Sequence, residues 1–123
     1  MVTRSVSFGP TAASADTETT IGSAYSFPTS GRIRAIRYCA YQGVVDKSTT
    51  AILILDFKRL SGPFEFAVGG TVGVSGTDSG ISMPTEEIIV DIPYQVGEEV
   101  TVKVKPSEAL EEVTVSLTLV EGE

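Results

Sequence analysis

The alternation of apolar and polar residues with a period of two constrains the fold of this chain more than any other feature. Between positions 100 and 105 a valine occupies every even position and a polar residue every odd one. The same alternation recurs over residues 64–68, 88–92 and 113–119. A period of two is the spacing of side chains on a β-strand, because successive residues point to opposite faces. We therefore expect an all-β chain whose strands each turn one face toward a core.

Turn-forming residues separate these segments at short, regular intervals. Glycines, prolines and serines cluster at positions 30–31, 61–63, 69–70, 76–80, 93 and 97. Many short strands at this spacing are typical of a sandwich or barrel. The chain has 123 residues, 41% of them apolar, which suits one core and not two. We predict one domain over residues 1–123, an antiparallel β-sandwich of jelly-roll or similar Greek-key type with about eight strands.

Two segments depart from the alternating pattern. Residues 9–20 are small and polar with almost no core-forming side chain, which predicts a surface loop or a flexible arm. Residues 106–112 suggest one helical turn, with Ser107 as the N-cap and acidic residues in the turn that follows. We expect this turn to connect the last two strands.

Three arginines in one predicted strand do not fit strict alternation. Arg32 and Arg34 share a face, but Arg37 lies an odd number of residues further on. In a regular strand Arg37 would share a face with Ile33, where an unpaired charge is costly. A β-bulge near Ala35–Ile36 would turn all three arginines outward. We predict this bulge or, failing it, an acidic partner for Arg37.

The residues that carry chemistry argue against an enzyme. The chain has no histidine, so the commonest general base and metal ligand is missing. Its one cysteine, Cys39, excludes an internal disulfide, and its apolar neighbours predict a buried, inert thiol. We expect no catalytic residue, no cofactor and no metal site.

The best catalytic candidate is the segment Thr77-Asp78-Ser79-Gly80, whose Asp-Ser-Gly resembles the active-site turn of retroviral-type aspartic proteases. In that family the aspartate follows two apolar strand residues, whereas Asp78 follows a glycine and a threonine. The family's later apolar-apolar-glycine signature is also absent. A calcium site at Asp78 would need further carboxylates from other loops. An ordinary glycine-rich turn is the favoured interpretation.

Charge is distributed unevenly along the chain. Residues 1–77 carry seven basic and five acidic side chains, net +2, whereas residues 78–123 carry two basic and eleven acidic ones, net −9. Either the strands of the two parts interleave and the charges mix, or a basic patch and an acidic face allow head-to-tail self-association. In the second case the interface candidates are Arg32, Arg34, Arg37, Glu98, Glu99, Glu111 and Glu112.

The overall charge and the apolar runs bear on partners and location. A net charge of −7 argues against nucleic acid and anionic membranes as partners. No apolar run has the length of a signal-peptide core or a membrane span, so we expect a soluble protein and leave its compartment open.

About eight short strands, a small-residue segment before the core, no catalytic set and a long regular last strand at residues 112–120 occur together here. In these features residues 18–121 resemble the small single jelly-roll proteins of virus particles, which serve as capsid subunits or as decoration or turret components. The resemblance concerns architecture, and no motif carries functional residues across. It implies a non-enzymatic structural protein of the virion that forms homo-oligomers and contacts other assembly proteins. The alternative is a small β-sandwich module that binds carbohydrate or protein, and the third hypothesis is the aspartic protease.

Overall fold

The computed structural model of the protein describes residues 2–42, 49–58, 63–71, 81–82, 86–107 and 109–122. These residues form ten β-strands and no helix, and every strand pair is antiparallel. The strands are β1 (Val2–Ala13), β2 (Thr19–Thr20), β3 (Tyr25–Ser26), β4 (Gly31–Gln42), β5 (Thr49–Phe57), β6 (Pro63–Thr71), β7 (Ile81–Ser82), β8 (Glu86–Tyr94), β9 (Glu99–Pro106) and β10 (Leu110–Glu121). The predicted all-β class is confirmed.

The strands form two sheets. Sheet A has the order β1-β10-β4, with β7 and β8 along the other side of β4, and sheet B has the order β6-β5-β9, with β2 and β3 along β9. Strands β7 and β8 pair with different parts of β4, as β2 and β3 do with β9, so each pair occupies one strand position. Counting each pair as one strand gives eight strands in the orders 1-8-3-6 and 2-7-4-5. This is the strand order of a jelly roll, which confirms the predicted sandwich type.

One hydrophobic core lies between the two sheets, and the alternating residues supply it. Strand β10 contributes Val113, Val115, Leu117 and Leu119, and β9 contributes the three valines at positions 100, 102 and 104. The intervening residues of both strands point outward and are at least partly exposed. Full burial of a valine or leucine stabilises a fold by about 1.5–3 kcal/mol, so alternation over two such strands strongly specifies their register.

The segment 9–20 is more regular than its composition predicted. Strand β1 continues to Ala13, and only residues 14–18 lie between β1 and β2. The strand bends at Gly9, which has φ +94° and precedes a cis-proline, and its register against β10 shifts there. A Cβ at Gly9 would collide with the carbonyl oxygen of Val113. The small residue at this position therefore lets the strand pass close to β10, a local requirement that composition did not reveal.

The helical turn predicted over residues 106–112 is wrong. Strand β9 runs to Pro106 and β10 begins at Leu110. Ser107 does not cap a helix but joins the start of β5: its N–H donates to the Thr50 carbonyl oxygen at 2.8 Å, and its Oγ accepts from the Thr50 N–H at 3.0 Å. Hydrogen bonds to β5 thus satisfy the backbone of Ser107, and a single helical turn would be only weakly stable on its own.

Candidate interaction surface on the outer face of sheet A

Strand β4 contains the irregularity that the arginine spacing predicted. On β10, Thr118 faces Ala35 and its neighbour Leu119 faces Ile33, so Arg34 is an additional residue on β4. The pairing of β4 with β8 shifts at the same place, between Ile33 and Ala35. The bulge therefore lies at Arg34–Ala35, one residue before the expected position.

The bulge divides β4 into two parts with opposite phase. Ile33 lies in the core before it and Ile36 and Tyr38 after it, and all three are fully buried. Consequently all three arginines project from the outer face of sheet A, as predicted. After the bulge, the Cys39 side chain lies on the outer face of sheet A and is half-buried, so the prediction that this thiol is buried is wrong.

Each of the three arginines has a carboxylate partner on the neighbouring strand β8. Arg32 Nη1 lies 2.9 Å from Asp91 Oδ1, and Arg34 Nη1 lies 3.6 Å from the same oxygen. Arg37 Nε lies 3.1 Å from Glu87 Oε2. These acids come from the acidic C-terminal part of the sequence, so at this surface the charges of the two parts mix. Such exposed pairs contribute about 0–1 kcal/mol each, so their main effect is to set the charge pattern of the face.

An exposed isoleucine stands between the two groups of ion pairs. Ile89 lies on β8 between Glu87 and Asp91, and its exposed fraction is 75%. It pairs across the sheet with Ala35, which is buried. A prominent apolar side chain therefore lies beside a small, recessed one, and ion pairs border both along the strands. Sequence alternation placed residue 89 on the face opposite to the core but gave no measure of its exposure.

The four candidate glutamates do not form one acidic face. Glu98 is only 3% exposed, and its Oε1 accepts a hydrogen bond from the Glu99 N–H at 3.2 Å. Its backbone carbonyl accepts a hydrogen bond from the Phe27 N–H at 2.9 Å, which holds the turn before β9 against the residue that follows β3. Glu98 is therefore not an accessible contact residue. Glu99 is half-buried and accepts from Ser26 Oγ at 3.4 Å on sheet B, whereas Glu111 and Glu112 are exposed at the start of β10.

A second polar cluster, which the sequence analysis missed, lies at one end of the sandwich. Glu121 is 6% exposed, its Oε1 lies 3.2 Å from Arg4 Nε, and its Oε2 accepts from Thr29 Oγ1 at 2.8 Å. The ring of Tyr94 stacks on Phe27 with 3.8 Å between ring centroids. Burial, and then the nearby charge of Glu121, raise the pKa of Tyr94 to about 12. The phenol is thus neutral at physiological pH, and the cluster has the contacts of a structural element.

The sequence contained one indication of this cluster, which is the position of Glu121 in the alternating pattern of the last strand. Glu121 is two residues beyond Leu119, so strict alternation predicts that its side chain points toward the core. A carboxylate at such a position requires a partner, because an unpaired buried charge is costly. The sequence offered no means of identifying Arg4, which is distant along the chain, as that partner.

An open groove crosses one end of sheet B. Its volume is about 330 Å³, and its lining includes Asp16, Ile52, Ala67 and Lys105.

Among the described residues, no group of three or more His, Cys, Asp or Glu is arranged to hold a metal ion. In the same residues no helix is long and apolar enough to cross a membrane. The Thr77-Asp78-Ser79-Gly80 segment, the candidate for a protease turn or a calcium ligand, lies outside the described residues.

Comparison with protein-family models gives no match, and no curated protein matches the chain either.

Proposed function

We propose that this protein is a non-enzymatic assembly protein that self-associates through the outer face of sheet A, as a structural component of a larger particle. The observation that carries the proposal is the 75% exposure of Ile89 between two sets of ion pairs. An apolar centre with a polar rim is the usual anatomy of a protein–protein contact.

A second copy of the chain fits this face better than an unrelated surface does. Consider a two-fold axis parallel to the strands and midway between β4 and β8. It places β4 of one copy over β8 of the other, so that each Ile89 meets the partner's recessed Ala35 position. The same operation brings Arg37 over the Glu87 position and Arg32 over the Asp91 position of the other copy. The face is thus complementary to itself in both shape and charge, as a two-fold interface requires.

The jelly-roll strand order supports a role in a virus particle as a capsid, decoration or turret component. The same architecture occurs in lectins and other binding proteins, so this part of the proposal depends on resemblance. The proposal that the protein is a component of a virus particle would be tested directly by searching for it in purified virions.

A second candidate function, binding of a protein segment, is favoured by the groove on sheet B. Ile52 is 39% exposed there, and Lys105 and Asp16 give the groove one charge of each sign. The described residues that line the groove include no aromatic ring, so a peptide suits it better than a carbohydrate does. Binding to a peptide array and not to a glycan array would support this function, and the reverse result would contradict it.

The self-association proposal is tested by Ile89→Lys with Val96→Lys as the matched control. Val96 is 59% exposed but lies in the turn between β8 and β9, outside the outer face of sheet A. We expect multi-angle light scattering to give a lower mass for Ile89→Lys and the wild-type mass for Val96→Lys. Circular dichroism verifies that both variants are folded. An unchanged mass in Ile89→Lys, or an equal loss in both variants, would contradict the proposal.

A further inference from the structure

The edges of the two sheets differ in how well they are protected against pairing with another strand. Strand β8, at one edge of sheet A, carries three carboxylate residues and a proline. Strand β6, at an edge of sheet B, begins with a proline and carries Glu65, and the opposite edge consists of two strands of two residues each. Charges, prolines and very short strands are the devices by which natural sheets prevent edge-to-edge pairing.

The remaining edge is the first part of β1, Val2 to Phe8, which contains no proline and no carboxylate and is longer than β2 or β3. Residues Val2 to Phe8 keep an unbroken register with β10, and no described residue pairs with their other side. Their only charged residue is Arg4, which is already paired with Glu121. Val2 is a largely exposed apolar residue on this edge. A seven-residue, nearly uncharged edge in unbroken register with its neighbour is the kind that accepts another strand.

The side chains of β1 are compatible with a second copy of β1 in one register. An antiparallel pair with Ser5 opposite Ser5 aligns all seven residues from Val2 to Phe8. Serine and threonine then meet on the outer face, and Arg4 faces Val6. On the inner face the exposed Val2 gains Phe8 of the other copy as its neighbour. Like charges do not face each other in this register.

The two neighbouring registers that keep the faces aligned are worse. A two-fold axis at Arg4 would place two arginines directly opposite each other, which is destabilising. An axis at Val6 would extend the pairing into Gly9 and Pro10, where the strand bends and the proline has no N–H to donate.

From these observations we infer that β1 pairs with β1 of a second copy, antiparallel and two-fold symmetric about Ser5, so that two four-stranded sheets become one of eight. The inference rests on the proposed self-association but uses a different surface from the face around Ile89. Two independent contacts would let the assembly extend beyond a closed dimer.

The register is tested by cross-linking in a Cys39→Ser background. Facing residues in a sheet have Cβ atoms about 4.5–5.5 Å apart, so oxidation of Ser5→Cys should give a disulfide-linked dimer. In the matched control Ser7→Cys, the two cysteines would lie four residues apart along the strands, about 13 Å, which is too far for a disulfide. Cross-linking of both variants, or of neither, would overturn the inferred register.

A charge placed at the two-fold axis gives an independent measurement. Two lysines in Ser5→Lys would face each other and weaken dimerisation about tenfold. Thr118→Lys places the same charge on the same outer face, but on the interior strand β10, and should leave the dimerisation constant unchanged. Equal effects of the two substitutions would overturn the inference.

The experiments on β1 and on Ile89 can fail independently of each other. If Ile89→Lys leaves the mass unchanged while Ser5→Cys cross-links, the proposed face is wrong and the β1 contact stands. If the wild-type protein is oligomeric and responds to Ile89→Lys but Ser5→Cys does not cross-link, the β1 contact is wrong and the proposed face stands.

Discussion

Replacing Tyr94 with phenylalanine tests the description of the buried cluster at the end of the sandwich. The Tyr94 side chain is 3% exposed, and its hydroxyl has no hydrogen-bond partner among the described residues. Burying a hydroxyl without a partner costs about 1–3 kcal/mol, and the small void left by phenylalanine offsets part of the gain. We expect Tyr94→Phe to increase the free energy of unfolding by about 1 kcal/mol at pH 7.

The same substitution should show a larger effect at high pH. Burial and Glu121 raise the pKa of Tyr94 to about 12 in the folded protein, against 10.0 in the unfolded chain. Above pH 10 the unfolded chain releases a proton that the folded protein retains, so this contribution to stability is complete below pH 10 and is lost as the pH rises through about 12. The wild type should lose about 1 kcal/mol by pH 11 and about 2 kcal/mol by pH 12. The variant's advantage should widen by these amounts.

Urea unfolding of the wild type and Tyr94→Phe at pH 7, 9, 11 and 12 measures the difference between their free energies of unfolding. The other groups that titrate at alkaline pH are the same in both proteins, so their contributions largely cancel in this difference. Tyr25→Phe is the control, because Tyr25 is half-buried and its hydroxyl is not among the buried unpartnered groups. A loss of more than 1 kcal/mol in Tyr94→Phe at pH 7 would show that the hydroxyl has a partner. A difference that stays constant from pH 7 to 12 would refute the raised pKa.

Two further predictions concern the same end of the molecule and are measured by urea unfolding at pH 7. In Gly31→Ala the added Cβ would meet the Val120 carbonyl oxygen and, at 2.8 Å, the Tyr94 hydroxyl, so we expect a loss of about 1–3 kcal/mol; wild-type stability would contradict this close packing. Arg4→Met removes the counter-charge of the buried Glu121, and because Arg4 is half-exposed we expect a loss of about 1 kcal/mol. Adding Glu121→Gln should recover most of that loss, and a double variant as unstable as the sum of the singles would contradict the pairing.

The parts of the fold that the sequence predicted are those where one face of a strand differs sharply from the other. Strands β9 and β10 were predictable because valine and leucine alternate with polar residues over six or more positions. The bulge in β4 was predictable because no regular strand places Arg32, Arg34 and Arg37 on one face. In both cases the cost of burying a charge or exposing the core decides the local structure.

The remaining features depend on pairing between distant parts of the chain. Alternation assigns a residue to a face but does not identify the neighbouring strand, so Asp91 and Glu87 were not recognised as partners of the arginines. Composition indicated a loop where β1 continues past Gly9, and local propensity indicated a helix where Ser107 instead pairs with β5. The burial of Glu98 likewise follows from a corner that is formed only when β3 meets the turn before β9.

Sedimentation equilibrium of the wild-type protein over a range of concentrations tests self-association most directly. We expect a weight-average mass well above the 13.0 kDa of one chain at micromolar concentration, falling toward that value on dilution. The oligomer should weaken only modestly as sodium chloride rises from about 0.05 to 0.5 M, because the arginines of the contact face already have carboxylate partners within the chain. A mass of 13.0 kDa at every concentration would contradict the account.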